Sequence, residues 1–108
     1  MTAETAVREL LALPWPPTAL FTANNRITTG ALRATWGARR AVALVGFDDL
    51  ELAELLTVPV TVVAYDAAEL GCRGEEVLCR RLGGYDGLAD RRVLQTEVVT
   101  RGSGELVA

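Results

Sequence analysis

Three pairs of polar side chains follow short apolar runs in this sequence: Asn24-Asn25, Asp48-Asp49 and Tyr65-Asp66. The amides donate and accept, a carboxylate accepts two hydroxyl protons, and a phenol ring stacks while its oxygen bonds. That inventory suits a polyhydroxylated or heterocyclic small molecule. It suits covalent chemistry poorly, because a nucleophile needs a positioned base and the sequence has neither histidine nor lysine. There is no Gly-x-Ser-x-Gly turn, and neither of the two glycine patterns that cradle phosphates occurs. No catalytic residue, metal or cofactor is therefore expected.

Those pairs share one place only if the elements before them run side by side. Residues 19–22, 41–47 and 60–64 each read as a strand, the first short, apolar and buried on both faces and the second apolar and β-branched. Helical spacing marks residues 5–13, 26–36, 50–56 and 67–82. Thr2 or Thr5 caps the first helix, and Pro14, Pro16 and Pro17 stop it. Trp15, among those prolines, is expected to cover the edge of the core. Gly30 costs its helix about 1 kcal/mol and is expected to serve close packing. Gly37 suits a C-terminal cap of that helix, and Gly83-Gly84 ends the last one. Residues 92–100 alternate without a strong apolar side, which suits an edge strand. The predicted class is α/β, a three-layer sandwich with a mostly parallel sheet, in which right-handed crossovers bring all three strand ends to one rim. Capping is the competing role for these polar residues, Asn24 or Asn25 for the second helix and Asp48 or Asp49 for the third.

At 108 residues, half of them hydrophobic and 23% charged, the chain is expected to form a single globular domain. Its net charge of −3 and the scattering of its arginines leave no concentrated basic face, which argues against direct binding to nucleic acid. The N-terminus lacks an export pattern and no apolar run approaches a membrane span, so a cytoplasmic protein without a membrane partner is expected. Cys72 and Cys79, seven residues apart on one helix, lie too far apart to pair and are expected to be buried, reduced thiols.

Taken in order, the blocks TALFTANNRITTGALRA, VALVGFDDLELAELLTVPVTVV, AAELG and LQTEVVTRGSG resemble the C-terminal part of the effector-binding domain of LacI/GalR-type transcriptional regulators. That domain is similar to type I periplasmic sugar-binding proteins. The resemblance implies a small-molecule effector, a sugar or related compound, contacted by Asn24, Asn25, Asp48 and Tyr65. It also implies a homodimer whose interface includes Ile27, Leu52, Leu55 and Leu56. It places the chain as the C-terminal subdomain, with the N-terminal subdomain and helix-turn-helix absent, so that DNA is reached only through a parent chain. Two positions depart from the pattern: Asn25 stands where an aspartate is usual and Tyr65 where a glutamine is. The connection after the second helix is also short. A transport-type solute-binding module and a non-binding structural fragment are the alternative readings.

Overall fold

A computed structural model describes residues 1–36, 41–51, 58–89 and 91–106. The elements run α1 (Ala3–Leu11), β1 (Ala19–Thr22), α2 (Asn25–Thr35), β2 (Ala43–Phe47), β3 (Thr61–Tyr65), α3 (Ala67–Leu82) and β4 (Thr96–Val99), followed by a 3-10 turn at Ser103–Glu105. The four strands form one sheet in the order β1-β2-β3-β4. β1 pairs with β2 in parallel from Ala19↔Ala43 to Thr22↔Gly46, and β2 pairs with β3 in parallel from Val45↔Thr61 to Phe47↔Val63. This is the mostly parallel α/β sheet that the apolar runs predict. The expected helix at 50–56 falls largely on residues 52–57, outside the described residues, as do Gly37, Leu52, Leu55 and Leu56.

Two compact units divide the chain: Met1–Ala64 with Glu97–Ala108, and Tyr65–Thr96. The first holds the core, in which Val7 of α1, Ala31 and Ala34 of α2, and Leu44, Val60 and Val62 of the strand region cluster with Leu11, Leu20, Leu32, Leu50, Ala64 and Val99 around them. The small residues on α2 let α1 approach closely. A Cβ placed on Gly30 would lie 2.6 Å from the Ala3 Cβ and 2.9 Å from the Glu4 backbone nitrogen. The glycine in α2 thus does serve close packing. On its other side α2 meets the sheet through a buried hydroxyl pair, Thr22 Oγ1 and Thr28 Oγ1, 2.6 Å apart.

The chain's last segment fastens β2 to β3. Ser103, 4% exposed, donates from Oγ to the Leu44 carbonyl at 2.6 Å and accepts from the Thr61 N–H at 2.8 Å. Its own N–H reaches the Pro59 carbonyl. Thr61 Oγ1 in turn accepts from the N–H groups of Arg101, Gly102 and Gly104 at 3.0, 3.2 and 3.3 Å. Gly102 has a φ of 130°, a conformation that glycine adopts at little cost.

In the second unit, Asp66 caps α3 by accepting from the Glu69 N–H, and Gly83 ends it. Glu76 pairs with Arg92, and the Arg80 guanidinium lies 4.5 Å from the Tyr85 ring centroid. α3 has no buried residue, and Leu70, Leu78, Leu82, Cys72 and Cys79 are exposed. This corrects the expectation of buried thiols: the unit is one helix and a short loop, too little chain to cover an apolar helix face by itself. Two further expectations are corrected. β1 is not buried on both faces: Leu20 and Thr22 lie on its covered face, while Ala19 and Phe21 lie on an open one, Phe21 64% exposed. Trp15 does not cover the core edge: it is 92% exposed, while its neighbours Pro16 and Pro17 are half-buried.

Candidate functional site

The register of β1 on β2 decides where the polar pairs lie. Thr22 is opposite Gly46 in a parallel pair, so Asn24 and Asn25 leave the sheet at the same edge as Asp48 and Asp49. In an open α/β sheet this carboxyl edge is where ligands bind. Tyr65 ends β3 and is the first residue of the second unit.

Asn24 is the N-cap of α2. With φ −158° it is extended, and its Oδ1 accepts from the Ile27 N–H at 2.9 Å. Capping, one of the two roles open to it, is therefore in use, and its amide nitrogen remains available as a donor, since only Oδ1 carries the cap. Asn25 opens the helix at half-buried depth and borders a cavity of about 270 Å³, lined also by Arg26, Thr29, Leu50 and Glu51.

Asp48 is the only non-glycine with positive φ among the described residues, at 76°. Aspartate tolerates this left-handed conformation better than most residues, yet it still costs free energy, and such positions concentrate at functional sites. The Asp48 N–H donates to the Val63 carbonyl at 2.8 Å, which ties the turn to the end of β3. Next to it, the Asp49 carboxylate accepts both terminal nitrogens of Arg101, each at 2.8 Å, and the Leu50 N–H at 2.9 Å. The hydrogen bond from Arg101 holds the Asp49 carboxyl below its usual range; burial opposes this, and the Leu50 N–H and the Arg101 charge add to the lowering. Asp49 thus takes the cap-like contact to Leu50, one of the two assignments open from the sequence.

Ile27, which the resemblance places in a dimer interface, is 36% exposed on α2. Just past the end of that helix, Trp36, 77% exposed, borders an apolar groove of about 520 Å³ together with Leu32 and Leu50. Among the described residues, no three histidine, cysteine or acidic side chains come together to hold a metal ion. None of the described helices is long and apolar enough to cross a membrane.

The model of the periplasmic binding protein-like domain matches residues 1–104. The chain belongs to this family. Within it, the similar proteins are LacI-type transcriptional regulators. The ribose operon repressor of Escherichia coli K12 is 36% identical over 81 residues, covering 71% of this chain and 24% of the repressor. The HTH-type transcriptional repressor CytR of the same strain is 29% identical over 102 residues, covering 91% and 30%. Among solved structures, a ribose operon repressor from Burkholderia thailandensis superposes with a TM-score of 0.77 at 32% identity, over 91% of this chain and 38% of that one. A LacI family regulator from Arthrobacter sp. FB24, in complex with lactose, gives 0.74 at 28% identity over 95% and 40%. The chain thus spans about a quarter to a third of the length of these curated relatives. The periplasmic-binding-protein-like fold and the LacI-type kinship implied by its sequence blocks are both established by these matches. The relatives are repressors rather than enzymes.

Proposed function

We propose that this chain is the effector-sensing module of a LacI-type transcriptional regulator, non-enzymatic, with a sugar or related small molecule as effector. The observation that carries this reading is the parallel register of β1 and β2, which delivers an asparagine pair and a left-handed aspartate to one sheet edge. Asn24 offers its amide N–H groups, Asn25 its whole amide and Asp48 a carboxylate, a set that matches adjacent hydroxyl groups. The kinship supports the ligand class: the name of one relative specifies ribose, and one neighbour was crystallised with lactose.

The regulatory action follows from differential affinity. A ligand biases a two-state hinge only to the extent that it binds one state more tightly. Dimerisation through Ile27 with Leu52, Leu55 and Leu56 would carry that bias to a DNA-reading segment, the sole route to DNA in this reading. Trp36, the C-cap residue of α2, is exposed as Ile27 is.

The test is thermal melting of the parent regulator with D-ribose, for wild type and for Asp48→Ala. A ligand at tenfold excess over its Kd adds about 1.4 kcal/mol to stability. The expected outcome is a ribose-dependent rise in Tm for wild type that Asp48→Ala loses. An equal rise in both proteins removes Asp48 from the site, and no rise in wild type defeats the ribose-like assignment.

A further inference from the structure

We infer that Arg101, which nothing in the sequence motifs singles out as part of the site, is the residue that positions Asp48. This rests on the reading of Asp48 as a ligand contact. The Arg101 guanidinium is largely buried, its side chain 17% exposed. Its two terminal nitrogens meet the two carboxylate oxygens of Asp49 at 2.8 Å each, in the bidentate geometry that lysine cannot reproduce. One of those nitrogens also donates to the Val60 carbonyl at 3.1 Å, which fixes the fork against the start of β3. The backbone of Arg101 is itself anchored, since its N–H donates to Thr61 Oγ1.

The consequence falls on the preceding residue. The turn from β2 is held on one side by the Asp48 N–H on the Val63 carbonyl and on the other by the Asp49 carboxylate on Arg101. Between these two ties Asp48 sits at φ 76°, a conformation that persists only where its surroundings impose it. A fork at Asp49 therefore fixes the direction in which the Asp48 carboxylate leaves the sheet edge. Arg101 acts through Asp49 rather than by touching ligand.

Amide hydrogen exchange on the full chain tests this without any ligand. In Arg101→Lys, which keeps the charge and loses the fork, and in Asp49→Asn, exchange at the Asp48 amide should quicken by about tenfold or more, with the amides of Leu44 and Val62 unchanged. The double replacement that swaps the pair, Asp49→Arg with Arg101→Asp, should restore part of the Asp48 protection. Unchanged exchange at Asp48 in both single variants overturns the proposal. So does equal quickening at Asp48, Leu44 and Val62, which would make Arg101 a general stabiliser. Failure of the ligand reading has a different signature: D-ribose leaves the melting of wild type unmoved while Asp48 exchange still responds to Arg101→Lys.

Discussion

Replacing Ser103 by alanine removes a single oxygen, and the structure assigns that oxygen two partners. Its Oγ stands between the Leu44 carbonyl at 2.6 Å and the Thr61 N–H at 2.8 Å, so one side chain bridges β2 and β3 just ahead of the first rung of their pairing, Val45↔Thr61. The residue is 4% exposed, and water has little access to the groups it would leave behind. A buried donor or acceptor left without a partner costs about 1–3 kcal/mol. With two such groups, one of them a carbonyl that retains a second lone pair, the loss should come to roughly 2–4 kcal/mol. Domains of this size have about 5–15 kcal/mol in total, so the variant should melt roughly 10 °C or more below wild type. Urea unfolding followed by circular dichroism measures this as a lower midpoint with an unchanged m-value. Ser103→Cys, which keeps the volume and a weak donor, should lie between the two. A loss of under about 0.5 kcal/mol for Ser103→Ala would refute the bridge and reduce the closing segment to surface decoration.

Two other perturbations probe different joints of the first unit. Gly30→Ala should gain about 1 kcal/mol of helix propensity in an isolated peptide yet destabilise the protein by about 1–3 kcal/mol, because the added methyl meets Ala3 and the Glu4 backbone where α1 crosses α2. Urea midpoints decide the sign. The Asp49 carboxyl is lowered in the folded chain from an ordinary value of 3.8, so its contribution is fully present above that value and is lost as pH falls through the lower folded value. The stability gap between wild type and Asp49→Asn should therefore be constant near neutral pH and close in acid; a gap independent of pH throughout would contradict the ion pair.

How legible all this is in the sequence depends on how far apart the cooperating residues lie. Asn24 capping α2 needs only its near neighbours, and an asparagine ahead of an apolar-periodic segment announces it. α3 likewise begins after Asp66 and ends before Gly83, both local signals. β2 loses two residues of its expected length and β3 shifts by one, since strand ends are set by partners rather than by composition. Strand order is less local still: a four-residue apolar run such as ALFT reads the same at the centre of a sheet or at its edge, and its composition does not tell that one face, Leu20 and Thr22, is covered while the other, Ala19 and Phe21, stays open. The fork from Arg101 to Asp49 spans 52 residues and Ser103 reaches 59 residues back to Leu44. No periodicity carries such pairings. In the positioning proposed above it is the Arg101 fork that bears on the turn holding Asp48, so the residue types at the sheet edge are readable from the chain, whereas the tie to Arg101 depends on its far end.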